Sequence, residues 1–273
     1  MRVTIIGLGL MGGSIARAIK RTGHHTVVGV DVRADARDAA VAADVVQQAF
    51  ASLADFDGLC DVIIFATPVS ATLALMSTHA ARLKRTPLVM DVGNVKAAVY
   101  ACANDNGLHR VFVGSHPMCG SERSGFEASR ADVFDGAPVW LVADDGAPLE
   151  DAERFWRSIG AAALRRTDGY AHDLLMGAAS HMPQLVASVL GGTLAELNIP
   201  RERLGPGGRD TTRLAGSNPE LWIDTLTHNR EAVLAPLSYF VDRLERARAA
   251  LEHGDHALLL QLLTEARQWQ QSR

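Results

Sequence analysis

Cysteine is scarce: Cys60, Cys102 and Cys119 are the only three in a chain of 273 residues. They lie far apart and are odd in number, which argues against a disulfide framework and for a reducing cytoplasm. No Cys/His grouping has the spacing of a zinc site, so no metal is expected. No apolar run reads as long enough to cross a bilayer. The first residues, Met1-Arg2-Val3-Thr4-Ile5-Ile6-Gly7, enter a strand and a glycine turn directly, where a signal peptide needs a longer apolar stretch and a cleavage site. An excess of one charge sign is missing too, with 27 Lys+Arg against 31 Asp+Glu and a net charge of −4. That argues against a nucleic-acid surface or a membrane patch. Internal repeats and low-complexity segments are absent, and no lysine follows Lys96.

Present instead are apolar residues amounting to 48% of the chain, enough for a sizeable core in one large domain or two ordinary ones. Residues 2–6 read as a buried strand, and Gly7-Leu8-Gly9-Leu10-Met11-Gly12 then matches G-x-G-x-x-G. Gly7 suits the tight turn, Gly9 the close approach of backbone to a pyrophosphate, and Gly12 the packing of helix on strand. Leu10 and Met11 belong to the same cofactor loop, and the phosphates would sit at the positive helix N-terminus. The next strand, Thr26-Val27-Val28-Gly29-Val30, ends in Asp31. An acidic residue at that distance binds the ribose 2′-hydroxyl and repels a 2′-phosphate, which favours NAD over NADP. Arg33 tempers this, because a nearby arginine accommodates the extra phosphate.

Further strands follow at α/β intervals: Asp61 to Ala66 ending at Thr67-Pro68, Pro87 to Val92 ending at Gly93-Asn94-Val95-Lys96, and Val111-Phe112-Val113 ending at His116. A later one is Val139 to Val142. Alternating strand and helix, for example the helical stretch Ala71 to Arg82, predicts a parallel sheet covered on both faces. Ligands collect beside the carboxyl ends of such strands. Thr67, Asn94 and His116 should therefore share one edge with the glycine loop. From Ala171 onward the chain reads as helix after helix. Pro183 should kink that run, with His181 and Gln184 on one face near the kink. Gly205 to Gly208 opens a short helix on which Arg209 and Arg213 stand four apart, a site for carboxylates. Asn218 and Pro219 read as a helix start. The organisation expected is a Rossmann-type dinucleotide-binding domain over 1–167 and an all-helical substrate and dimerisation domain over 168–273. The later helices look too apolar to stand alone, which points to a homodimer.

Five segments recur in family order: Gly7 to Ser14, Asp91 to Lys96, His116-Pro117-Met118-Cys119-Gly120-Ser121-Glu122, Ser180-His181-Met182-Pro183-Gln184, and Arg209-Asp210-Thr211-Thr212-Arg213 with Trp222. On these the chain resembles the prephenate/arogenate dehydrogenases of tyrosine biosynthesis. The resemblance implies an oxidative decarboxylation in which the hydroxyl-bearing carbon of a cyclohexadienol gives hydride to a nicotinamide, a ring carboxylate leaves as CO2, and an aromatic ring results. His116 corresponds to the base at the hydroxyl, Arg213 to the arginine holding a substrate carboxylate, Arg209 to a second basic position, and His181 and Ser121 to the substrate pocket. An unperturbed imidazole titrates near neutrality, which suits a base.

Three departures stand out. Asn94 replaces the serine that supports the catalytic histidine in the family, and an amide can hydrogen-bond the same oxygen. Gln184 replaces a histidine near the substrate side chain, where arogenate-specific members carry an acidic group, so prephenate is favoured. The chain also ends after the helical domain, leaving no room for a regulatory domain or a fused mutase. Two other readings compete. A 3-hydroxyacid dehydrogenase would need a catalytic lysine in the helical half, and none follows Lys96. A non-catalytic dinucleotide sensor would leave the coincidence of His116, His181 and Arg213 unexplained.

Overall fold

A computed structural model describes residues 1–23, 26–121 and 123–272; Glu122, part of the His116 segment above, lies outside them. The first half runs β1 (Arg2–Ile6), α1 (Leu10–Thr22), β2 (Thr26–Val30), α2 (Ala34–Ala42), β3 (Gln48–Phe50), β4 (Val62–Phe65), α3 (Val69–Thr78), α4 (Ala80–Leu83), β5 (Leu88–Asp91), α5 (Ala97–Asp105), β6 (Phe112–Pro117), β7 (Pro138–Val142), α6 (Leu149–Ser158) and β8 (Ala163–Arg166). The strands form one sheet in the order β3-β2-β1-β4-β5-β6-β7-β8. Successive side chains on a strand point to opposite faces. Accordingly Ile5 joins a core with Ile15, Ile19 and Trp156 on one face, while Ile6 joins Ile63, Phe65 and Phe112 on the other.

The parallel sheet expected from sequence needs amending at β7, which pairs antiparallel with β6. A parallel return is usually made through a crossover α-helix packed on the sheet. Between β6 and β7 the only described helix is a short 3₁₀ turn, Phe126–Ala128. The strand order reverses around β1, flanked by β2 and β4, and this opens the crevice where a doubly wound sheet takes its ligand.

The second half is helical: α7 (Gly169–Met176), α8 (Met182–Glu196), α9 (Pro206–Thr212), α10 (Pro219–His228), α11 (Arg230–His253) and α12 (His256–Gln271). Asn218 caps α10 as expected, its side chain accepting from Glu220 N at 3.0 Å. The kink expected at Pro183 takes a specific form, a π-turn over Gly177–His181 between α7 and α8. The helical run Gly169–Glu196 is thus continuous over 28 residues and has the length and apolar composition of a bilayer-crossing helix. This corrects the expectation that no such run exists. Its buried polar residues, His172, Asp173, His181 and Gln184, are tied to neighbouring elements, as in the central helix of a two-lobed protein. On α11 and α12, by contrast, Tyr239, Leu244, Leu251, Leu260, Leu263 and Trp269 are exposed.

Candidate active site

The glycine turn is built as its spacing demands. Gly7 sits at φ +94°, and a Cβ there would stand 2.5 Å from Ala66 O. A Cβ on Gly12 would stand 1.8 Å from Gly7 O, so only glycine lets α1 start this close to the turn. At Gly9 the same atom would meet nothing within 4 Å, which leaves open space where a pyrophosphate approaches. Leu10 and Met11 open α1 directly behind it. Asp31 accepts from Leu8 N at 2.7 Å and from Arg33 N at 2.8 Å, so its carboxylate is fixed at the mouth of the turn. The Arg33 guanidinium lies against Asp35, and that pairing raises its pKa. Thr67 follows β4 and bonds Thr72 through the hydroxyls at 2.8 Å, with Pro68 leading into α3.

His116 ends β6 opposite Trp140 of β7 and is 9% exposed. Its Nδ1 lies 2.9 Å from Nε2 of His172, whose Nδ1 lies 2.7 Å from Asp173 Oδ1. Asp173 also accepts the amide of Lys96, the residue before α5, at 2.7 Å and that of Ala97, the first of α5, at 2.8 Å. Asn229, the residue before α11, donates to the Asp173 carbonyl and to His181 Nδ1, each at 2.9 Å. Thr225 of α10 donates to Asn94 Oδ1 at 3.2 Å. Strand ends and helices from both halves therefore meet around His116, Asn94, His172, Asp173 and His181.

His172 and Asp173 were not anticipated from the sequence, and the π-turn explains why. At about 100° per residue, His172 and His181 fall about 180° apart on an uninterrupted α-helix. A π-turn accommodates one extra residue, which brings the two to about 80°. An Asp directly after a His in an apolar helix was the available signal.

Burial sets the electrostatics. Desolvation, reinforced by His172, Lys96 and His181, holds the His116 pKa well below the ordinary imidazole value. Desolvation brings His181 to about 4, with Asp173 opposing. The Asn94 carbonyl also favours the charged ring, yet it lies outside hydrogen-bonding geometry, since His181 Nε2 has no partner. A depressed histidine stabilises the fold fully above its unfolded pKa and loses that contribution as pH falls towards the folded value. Between pH 6.5 and about 4 the fold should thus lose up to about 3 kcal/mol through His181 alone. The stability gap between wild type and His181→Gln, followed by denaturant unfolding, should narrow across that window; a constant gap would refute this.

Beneath the cluster, Lys96 is 1% exposed and donates to Asp91 and to Ser115 O at 2.8 Å. Asp91 accepts also from Gly93 N and Ser115 N, at 2.9 and 3.2 Å. Burial pushes Asp91 up and Lys96 down, and their contact opposes both shifts.

The remaining expected substrate residues are not part of this hydrogen-bonded cluster among the described residues. Arg209 is exposed on α9. Arg213, just past α9, lines an open cleft of about 950 Å³ with Ser188, Gly191, Ala195 and Leu204. Gln184 is buried, and its carboxamide donates to Leu214 O at 2.8 Å and to Ser188 Oγ at 3.3 Å. It braces the turn that carries Arg213 against α8. Ser121 is exposed and accepts from Arg123 N at 3.2 Å.

The family model described as prephenate dehydrogenase, nucleotide-binding domain, matches residues 15–164, and that described as prephenate dehydrogenase, dimerization domain, matches 168–265. The chain belongs to the prephenate dehydrogenase family. The cyclohexadienyl dehydrogenase of Zymomonas mobilis is 30% identical, over 97% of this chain and 93% of that protein. The structure of A. aeolicus prephenate dehydrogenase with hydroxyphenyl propionate and NAD+ has a TM-score of 0.88 at 28% identity, covering 99% of this chain and 97% of that one. That of Synechocystis arogenate dehydrogenase has a TM-score of 0.78 at 25% identity, covering 99% of each chain. As a member of this family the chain is a dehydrogenase with a nucleotide-binding sheet domain and the family's helical domain.

Proposed function

We propose that this dehydrogenase converts prephenate to 4-hydroxyphenylpyruvate with NAD+, in the cytoplasm and as a homodimer. The observation that carries the reading is a buried histidine kept neutral at the carboxyl edge of the sheet, the same edge that carries a glycine turn shaped for a dinucleotide. The turn fits the cofactor: Gly9 leaves room for phosphate, and Asp31, with both carboxylate oxygens facing backbone amides, would accept from a ribose hydroxyl as well. Arg33, engaged with Asp35, is not committed to a 2′-phosphate, which favours NAD. The neighbour solved with NAD+ and a hydroxyphenyl ligand supports the same choice.

NAD+, which Gly7, Gly9, Gly12 and Asp31 would hold, would supply the acceptor for hydride from the hydroxyl-bearing ring carbon. His116 takes the hydroxyl proton as that hydride leaves, which raises electron density at the carbon and eases its loss. Electrons of the bond to the departing carboxylate complete the aromatic ring, the ring oxygen takes its proton back from His116, and CO2 is released. Asn94, its Oδ1 engaged by Thr225, keeps its amide N–H groups for the same oxygen. His181 receives a hydrogen bond at Nδ1, so its proton lies on Nε2 as a donor for the substrate. Arg213, with Arg209 on the same side, holds a carboxylate from the cleft, and Ser121 and the brace at Gln184 complete the pocket wall. Water is kept from the base by the burial of His116, His172 and His181. The apolar face of α11 and α12 meets a second copy, consistent with the family's dimerization domain.

Gln184 offers no carboxylate for an ammonium group, which favours prephenate over arogenate. The arogenate and cyclohexadienyl relatives keep the amino-acid substrate as the second reading. Assay of both substrates with NAD+ and NADP+, followed as reduced nicotinamide and aromatic product, decides between them; turnover of arogenate alone would overturn the substrate assignment. Arg213→Ala should raise KM by about 10²-fold with a smaller change in kcat, as loss of a charged carboxylate contact implies. An unchanged KM would make Arg213 structural.

A further inference from the structure

His116 reaches its neighbours through a chain of directed hydrogen bonds. Asp173 faces the Lys96 and Ala97 amides at the start of α5, donors that cannot act as acceptors, so its carboxylate accepts throughout. His172 Nδ1, 2.7 Å from Asp173 Oδ1, must therefore carry a proton. A neutral His172 then has its lone pair on Nε2, and the atom 2.9 Å away is His116 Nδ1. The ring that donates there keeps its own lone pair on Nε2. We propose that His172, oriented by Asp173, is a positioning residue that fixes His116 in the Nδ1–H tautomer and so leaves Nε2 as its only basic nitrogen.

The surroundings hold the arrangement rigidly. The two rings meet edge to face at 5.1 Å between centroids. Trp140, paired with His116 across the β6–β7 ladder, packs on His172 at 6.4 Å. Asn229 holds the Asp173 backbone from α11. His172 and Asp173 are 1% and 3% exposed, so water does not compete for these bonds. The logic is that of any base whose second nitrogen is held by an acceptor: the wrong tautomer presents an N–H where a lone pair is needed, at a cost of orders of magnitude in rate. This deepens the proposed function and rests on His116 being its base, yet the tautomer can be read without substrate.

The test is ¹⁵N NMR of the ligand-free enzyme labelled at histidine, with His116 assigned by loss of its signals in His116→Asn. Above its titration, His116 should show a protonated Nδ1 and an unprotonated Nε2. In His172→Leu, which has no acceptor, the proton should move to Nε2 in at least part of the population. That variant should lose kcat by about 10²-fold or more with KM for the accepted cyclohexadienol moved by less than about threefold. His172→Gln can accept from His116 through Oε1 and donate to Asp173 through Nε2, and should recover kcat to within about tenfold of wild type. A proton on His116 Nε2 in the wild-type enzyme would overturn the proposal, as would wild-type turnover in a folded His172→Leu. If His172→Leu does not fold, the wild-type spectrum still decides. Absence of turnover with either cyclohexadienol would sink the functional reading and leave the tautomer result standing.

Discussion

Replacing His116 with asparagine should lower kcat by about 10²–10⁴-fold while KM changes by no more than about threefold. The asymmetry follows from where the imidazole acts. In the proposed reaction it removes a proton as hydride leaves, so its contribution would be made in the transition state and little of it would be present when substrate first binds. Burial and three neighbouring groups, His172, Lys96 and His181, keep the ring unprotonated at neutral pH. A base whose folded pKa is depressed is active above that value and is switched off as pH falls through it. The acid limb of kcat/KM should therefore lie below about pH 6.5, the region of an ordinary imidazole. Steady-state rates of the variant and a pH profile of the wild type check both points. Turnover within about tenfold of wild type, or an acid limb above neutrality, would take proton transfer away from this residue.

Lys96→Met should destabilise the fold by about 3–5 kcal/mol. The ammonium is enclosed between Asp91 and the Ser115 carbonyl, and its loss leaves a carboxylate 1% exposed with two backbone amides as its remaining donors. Breaking a buried pair costs far more than replacing it whole, because the orphaned charge has no access to water. The double variant Asp91→Leu/Lys96→Met should for this reason recover more than half of the loss. A drop in Tm of roughly 10 °C in the single variant is the matching thermal readout. A catalytic signature accompanies it: with a positive charge removed near His116, the acid limb of the activity profile moves to higher pH. Equal stability of wild type and Lys96→Met would show that the pair contributes nothing to folding.

Much of the sheet domain was legible because its signals are local. The glycine turn, the strand that precedes it and the acidic end of β2 lie within a short stretch, and sterics at Gly7 and Gly12 leave little choice of residue. The antiparallel β7 was not legible, since Val139 to Val142 reads alike in either direction and the connection before it carries only a short 3₁₀ turn among its described residues. The candidate site divided in the same manner. His116, Asn94 and His181 were visible as a strand end, a loop and a helix residue. His172 and Asp173 escaped because a π-turn rotates them into place, against the ordinary helical repeat. Lys96 reads as a soluble cation until its burial is known. Gln184 was expected near the substrate side chain, and nothing in the sequence signalled that its amide also ties the backbone of Leu214.

One carboxylate has a consequence for recombination. Asp173 of α7 grips the opening of α5, and His172 beside it touches the imidazole of β6. Neither lobe can therefore be exchanged for a homologous one on the strength of its own folding. A hybrid spliced between β8 and α7 would inherit the imidazole from one parent and its steering pair from the other, and would work only where both parents had settled on the same polar seam.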